Sequence, residues 1–122
     1  YNYHKTKDIM LNGKKVPIDI GCVKIVQFFN KVGLTTKFSC ENQNGRFVVM
    51  FEDNIQDVDI ENFISRNEIN NESSLQIGSF KKWTRKLNGS IKSNWQYIAD
   101  SERESLIDYG NWVEIFKEKR RE

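Results

Sequence analysis

The sequence holds one proline, one histidine and two cysteines among 122 residues. Two cysteines cannot build the stapled framework of a small secreted domain. The single histidine, His4, excludes a two-histidine zinc site and argues against a conventional acyl-transfer triad. There is no Cys-x-x-Cys pair and no glycine-rich dinucleotide fingerprint. Gly13-Lys14-Lys15 lacks the earlier glycine and the hydroxyl residue of a phosphate-binding loop. No apolar run approaches the roughly 20 residues of a spanning helix, and seven glycines with one proline exclude collagen-like or low-complexity chains. With so few chemistry-bearing motifs, no cofactor and no metal are expected, and the expected class is a non-enzymatic binding protein.

What is present suits one domain. A 14.4 kDa chain buries roughly two-thirds of its unfolded surface, and here 38% of residues are apolar and 30% charged. The chain opens on Tyr1 with no signal-type apolar segment. The two glycosylation sequons, Asn71-Glu72-Ser73 and Asn88-Gly89-Ser90, are at the level of chance, so cytosolic residence is expected. The net charge of +2 is unevenly placed. Residues 1–40 carry seven Lys and two Asp, residues 41–75 two Arg and eight acids, and residues 76–122 ten bases and seven acids. The stripes carry more information than the total.

Turn and cap signals order the elements. Asn12-Gly13 predicts a hairpin over 9–16, which Pro17 should end. Asp19 is placed to cap a helix over 20–32, with Cys22, Val23, Ile25, Val26, Phe28, Phe29 and Val32 as its apolar face and Gly33 as its stop. A type I′ turn at Asn44-Gly45 joins strands 35–41 and 46–52. It pairs Cys40 with Val49 and Phe38 with Phe51 on one side, and Lys37 with Glu52 and Ser39 with Met50 on the other. Asp59 is placed to cap a second helix over 60–68, stapled by Val58 and Phe63, with a polar loop over 67–74. Residues 75–99 admit a helix through Ile77, Phe80, Trp83 and Leu87. Asn88-Gly89 favours a hairpin that sets Phe80 opposite Tyr97 and Lys82 opposite Trp95. Ser101 and Glu104 form a capping box for a last helix to 119, with Leu106, Tyr109, Val113 and Phe116 inward. The expected fold class is α+β, a two-layer sandwich of an antiparallel sheet with helices on one face. A ferredoxin-like arrangement is one way to build it. The other sheet face stays partly open.

Three features could carry chemistry. Cys22 and Cys40 read best as small buried hydrophobes. The carboxylates Glu52, Asp53, Asp57, Asp59 and Glu61 read first as caps and solvated surface. A magnesium site or a phosphate mimic facing a basic protein partner are the alternatives. The hairpin at 75–99 is the most suggestive. Residues 73 to 99 hold no acid and five cations, Lys81, Lys82, Arg85, Lys86 and Lys92. Its register sets Lys81, Trp83 and Arg85 on one face opposite Gln96, Asn94 and Lys92, with Phe80, Trp95 and Tyr97 toward the core. Cations neutralise phosphates and an indole stacks on a base. Lys81, Trp83, Arg85, Lys92, Asn94 and Gln96 are therefore the candidate ligand or nucleic-acid site. Lys37, Ser39 and Arg46 are secondary candidates.

Ile18-Asp19-Ile20-Gly21, Phe29-Asn30, Gly33, Thr36, Ser39-Cys40 and Phe51 form one run, and Lys82-Trp83, Arg85-Lys86, Asn88-Gly89 and Asn94-Trp95 a second. Over about 18–52 and 80–98 the chain resembles small uncharacterised proteins encoded by phages and prophages. That resemblance implies no agreed activity. It implies action in the host bacterial cytoplasm, on nucleic acid, a nucleotide signal or a host defence complex that handles them. Counter-defence, such as anti-CRISPR inhibition or nucleotide sequestration, is the implied setting. Thr36, Ser39, Cys40, Gly45 and Arg46 also look faintly like the Ser-Cys-Ser-Gly-Arg motif of the wybutosine-tRNA methyltransferase family. Here residues 41–44 intervene. That likeness implies an RNA-modifying enzyme with Ser39, Cys40 and Arg46 lining its pocket. No membrane partner is expected, and an open sheet face or hairpin edge would allow a homodimer.

Overall fold

Three Asn-Gly pairs set the architecture. In the computed structural model, which describes residues 5–69 and 77–120 (without the side chains of 66–69 and 116–120), Asn12, Asn44 and Asn88 have φ of 53°, 54° and 50°. Gly13, Gly45 and Gly89 follow at 81°, 84° and 81°. Positive φ at both central residues is the type I′ turn, whose twist matches that of the flanking strands. Each turn closes a hairpin: β1 (Thr6–Leu11) with β2 (Lys14–Asp19), β3 (Thr36–Gln43) with β4 (Arg46–Phe51), and β5 (Ser79–Leu87) with β6 (Ser90–Ala99). After a short 3₁₀ turn (Ile20–Cys22), α1 (Val23–Lys31) joins the first hairpin to the second; α2 (Asp57–Ile69) joins the second to the third, and α3 (Glu102–Arg120) closes the order.

The last two hairpins merge into one antiparallel sheet of order β3-β4-β6-β5, and β1-β2 stays a separate ribbon. The α+β class with helices against an antiparallel sheet therefore holds. The ferredoxin-like arrangement does not hold: β2-α1-β3-β4-α2-β5 runs in the β-α-β-β-α-β order, but β2 pairs with β1 outside the four-stranded sheet, which is two adjoining hairpins. All three helices lie on one face. Phe28 and Phe29 of α1, Phe63 of α2 and Trp112 of α3 meet Phe51, Phe80 and Tyr97 of the sheet in a continuous aromatic cluster with centroid separations of 5.0–6.2 Å. No helix among the described residues is long and apolar enough to cross a membrane.

Several local expectations change. Pro17 does not end β2, which runs to Asp19 with Pro17 opposite Asp8. Pairs next to a two-residue turn exchange hydrogen bonds and alternate thereafter, so Pro17 falls at a position needing no ladder N–H. The Ile20 N–H donating to the Lys5 carbonyl at 3.0 Å keeps that alternation. Asp19 does not cap α1; its Oδ2 accepts the Glu41 N–H at 3.0 Å. The C-terminal end of α1 is as expected: Gly33 has φ 96°, Leu34 N donates to Phe29 O and Gly33 N to Asn30 O, the two bonds of a Schellman stop. Asn30, outside the apolar face, ties α1 to β3 through Thr36, donating to its Oγ1 and accepting its N–H.

The register of the second hairpin shifts by one beyond a bulge. Gln43 pairs with Arg46 as the turn requires, but Cys40 pairs with Val48, Ser39 with Val49 and Phe38 with Met50. The extra residue lies between Cys40 and Gln43, where Asp19 holds the Glu41 N–H and the Asn42 side chain accepts the Gly45 N–H. Helix α2 starts at Asp57, not 60. Asp59 is its third residue, and its carboxylate reaches back to the Gln56 N–H at 2.8 Å, half of a capping box around Gln56. Val58 is exposed. Ile55 and Ile60, both in the core, occupy the staple positions. The helix extends through Ile69, so 67–69 are not loop; the expected loop over 70–74, like His4 and the Asn71 sequon, lies outside the described residues.

Helix α3 begins as expected, with the Ser101 hydroxyl accepting the Glu104 N–H at 3.2 Å. Its buried stripe is rotated from the expected one. Ser105, Asp108, Trp112 and Ile115 are buried and Leu106 is exposed, while Tyr109 and Val113 pack at the margin. The Phe116 side chain is outside the described residues. Asp108 faces inward because the fold supplies three donors for its carboxylate: the Ile77 N–H at 2.8 Å, the Gly78 N–H at 2.7 Å and the Tyr97 hydroxyl at 2.5 Å. Gly78 has to be glycine, since a Cβ there would stand 2.5–2.6 Å from the Tyr97 ring.

Candidate functional site

The third hairpin has the register its turn predicts, from Ser79↔Ile98 through Phe80↔Tyr97 and Lys82↔Trp95 to Leu87↔Ser90. Strand β4 joins β6 only from Phe47↔Ala99 to Met50↔Gln96. Residues 82–95 therefore run on as a two-stranded arm, with Arg85, Lys86 and Lys92 exposed along it. Phe80, Trp95 and Tyr97 turn toward the helices, and Trp83 stands 53% exposed on the opposite face between Lys81 and Arg85. Among the described residues, neither Lys81 nor Arg85 forms an ion pair.

The two amides behave differently from the expectation that both flank Trp83 in solvent. Asn94 is 4% exposed; its Nδ2 donates to the Phe51 carbonyl at 3.1 Å and to Asp53 at 2.6 Å, so it fastens the loop after β4. Gln96 is 6% exposed and lies between Met50 and Lys81 across the sheet. It makes no hydrogen bond with its side chain among the described residues. It forms part of a groove of about 670 Å³ on the open sheet face, with Val48 and Ile98 as apolar floor and Arg46, Lys81 and Trp83 as walls. No carboxylate lines that groove.

The structure thus brings Lys81, Trp83 and Gln96 together, spaces Arg85 and Lys92 along the arm, and removes Asn94 to a structural role. Of the secondary candidates, Arg46 joins the groove. Lys37 is held by Asp53 at 3.2 Å. Ser39, opposite Val49, hydrogen-bonds Cys22 on the helix side. Sequence reasoning missed Val48, Ile98, Gln43 and Asn44 as groove residues. No local signal reports that β4 lies beside β6.

The acidic belt is largely spent within the fold. Asp59 is the capping carboxylate described above. Asp53 takes Asn94 and Lys37, and Asp57 takes the Trp95 indole N–H at 2.7 Å and Lys82 at 3.1 Å. The hydrogen bond from Asn94, then Lys37, holds the Asp53 carboxyl below the usual range; that from Trp95, then Lys82, does so for Asp57. Among the described residues, no group of three or more His, Cys, Asp and Glu is placed to hold a metal ion. A carboxylate depressed in the folded state stabilises it above the ordinary aspartate value near 3.9, and that support is lost as pH falls through the folded value. The Trp95 indole N–H resonance is therefore expected to stay constant down to roughly pH 4 and to move only in stronger acid, with Asp57→Asn abolishing that step. Movement beginning well above pH 4 would contradict the Asp57 contact.

Neither cysteine is in a disulfide. Burial, then the nearby Asp19 carboxylate, pushes the Cys22 thiol far up, and burial raises Cys40 as well. Raised thiols are poor nucleophiles at neutral pH. With Ser39 turned away from Arg46, the pocket implied by the methyltransferase likeness is not assembled.

A comparison with curated proteins finds no match, and neither does a comparison with solved structures. The wybutosine-tRNA methyltransferase resemblance is therefore unsupported. The family model described as YoqC prophage protein covers residues 14–122, nearly the whole chain, and the protein belongs to that prophage family.

Proposed function

We propose that the protein is a non-enzymatic binder of single-stranded nucleic acid, acting in the host bacterial cytoplasm, with its ligand laid across the open sheet face and along the β5–β6 arm. The observation that carries this reading is the half-exposed Trp83 indole between Lys81 and Arg85, on a face that also presents Arg46 and Phe38. Small α+β domains hold single strands in this way, bases stacked on sheet aromatics and phosphates met by flanking cations. A duplex keeps its base faces covered and would leave Trp83 without a stacking partner. Phe38 is 47% exposed three strands away from Trp83, so two bases of one strand, not two faces of one base, would meet the two rings. Membership of a prophage family supports counter-defence as the setting, where masking or sequestering a nucleic acid needs affinity and no chemistry.

Fluorescence anisotropy with a labelled 15-nucleotide single strand and the corresponding duplex tests the proposal. Single-strand binding is expected to dominate, with log K falling against log salt at about −0.7 per phosphate neutralised, roughly −3 for four cations. Trp83→Ala is expected to weaken it about 5- to 150-fold, as loss of one stacked base does. Absence of single-strand binding at low salt, or an unchanged Trp83→Ala, removes the proposal.

A further inference from the structure

We infer that the outward face of α3 is a homodimer interface, on which a second copy of this chain docks with its own α3 antiparallel. The interface is separate from the nucleic-acid site, because α3 packs through Trp112 on the sheet face turned away from Trp83. Arg103, Ile107, Gly110 and Glu114 follow one another at spacings of four, three and four residues and so share one side of the helix. That side lies opposite the buried Ser105, Asp108, Trp112 and Ile115. Leu106 and Ile107 are 39% and 45% exposed there. Two adjacent large aliphatic side chains flanked by charge have the make-up of a helix-packing seam. Gly110 stands at mid-helix, where only proline is a poorer choice. A Cβ on it would meet nothing within 4 Å, so no contact inside this chain requires glycine. A second helix laid on this face does, since the distance between packed helix axes is set by the side chains at the contact.

Charge selects both the partner and its direction. Arg103 and Glu114 are exposed, and among the described residues neither forms an ion pair. Eleven residues separate them, about 17 Å along a helix, too far to meet within one chain. An antiparallel copy with Ile107 opposite Gly110 sets Arg103 of each chain against Glu114 of the other, and two-fold symmetry makes that contact twice. A parallel copy in register would set like against like at both ends. The face is thus complementary to itself. The hairpin edge is not: pairing β5 with β5 of a second copy opposes lysines and arginines.

Sedimentation velocity of the whole chain, over a concentration series from micromolar to millimolar, tests this. So short a seam belongs with small, transient interfaces, and the wild type is expected to pass from monomer to dimer within the series. Arg103→Glu and Glu114→Arg each place like charges at both symmetric contacts and are expected to weaken the dimer at least about 10-fold. The double variant Arg103→Glu/Glu114→Arg restores opposite charges and is expected to dimerise within about 3-fold of the wild type. Gly110→Gln fills the notch between the helices and is expected to prevent dimerisation. It should also melt higher than the wild type, because glutamine is the better helix former and its Cβ has open space. A wild type that stays monomeric throughout, a dimer that survives either single reversal, or a double variant that remains monomeric overturns the interface.

Discussion

Asp108→Ala is expected to be the most destabilising single substitution on α3, lowering the free energy of unfolding by about 3–6 kcal/mol. Asp108 is buried and receives three donors, from Ile77, Gly78 and Tyr97. Truncation removes the acceptor and leaves those donors in place. Each buried donor without a partner costs about 1–3 kcal/mol, more than a satisfied bond contributes. The Gly78 and Tyr97 bonds are buried and pay in full; the Ile77 N–H is partly reachable by water and costs less. Against the roughly 5–15 kcal/mol stability of a small domain, that loss leaves the variant marginal at 37 °C. Tyr97→Phe deletes one donor and keeps the acceptor, so about 1–2 kcal/mol is expected. The double variant should lose less than the two losses added, because the Tyr97 hydroxyl and the carboxylate share one bond. Urea unfolding followed by far-UV circular dichroism measures all three. An Asp108→Ala loss under 1 kcal/mol would show that water replaces the carboxylate and that α3 is not docked through it.

The same residue shows why part of the fold was illegible. The stripe read from hydrophobicity on α3 ran through Leu106, Tyr109, Val113 and Phe116, because an aspartate counts as a wet residue. It faces inward only because a backbone segment 30 residues earlier and a tyrosine on β6 bring donors to it. The bulge in β3 has the same kind of origin. Turn chemistry placed Asn44-Gly45 correctly, but the residue that pins the bulge, Asp19, is 22 positions upstream of Glu41. Among the described residues no distant polar side chain captures a backbone group of the 79–99 hairpin; Asp53 and Asp57 reach only the side chains of Asn94, Trp95 and Lys82 at the root of its arm, and its register followed from Asn88-Gly89 and side-chain alternation alone. Local rules therefore worked where local forces decide. They failed where a polar side chain from a distant segment captures a backbone group.

The candidate site divides along the same line. The outward position of Trp83 followed from parity, since Phe80, Trp95 and Tyr97 were apolar on the other face. Asn94 obeyed the parity and was still removed from solvent, because the loop after β4 brought Asp53 and the Phe51 carbonyl over it. Arg46 was noticed for a different reason and entered the groove through the strand order β3-β4-β6-β5. Lys82, counted among the five cations, is neutralised by Asp57. The free positive charge on the Trp83 face is thus narrower than composition suggests: Lys86 falls on the opposite side by alternation, and the charge lies with Lys81, Arg85 and, with some loss to Asp53, Lys92.

Reversing those three charges together is expected to give the largest functional effect. In Lys81→Glu/Arg85→Glu/Lys92→Glu, three phosphate contacts are lost and repulsion is added. Near 0.1 M salt the lost counterion release alone amounts to about 100-fold, and the salt slope should flatten by roughly 2 units. The three side chains are exposed and outside the core, so the melting temperature should scarcely change. The single variant Lys92→Glu separates function from stability more sharply. Arg85 and Lys92 are direct cross-strand partners, and like charges so placed repel. Converting the pair to Arg85 with a glutamate is expected to stabilise the hairpin by roughly 0.2–1 kcal/mol while weakening strand binding. Such a rise in stability with a fall in affinity is what a surface kept repulsive for an anionic ligand should show. A solubilising edge would gain the stability and lose nothing. If the triple variant binds single strands as tightly as the wild type, phosphates do not lie along this face, and neither the arm nor the groove beside it is the site.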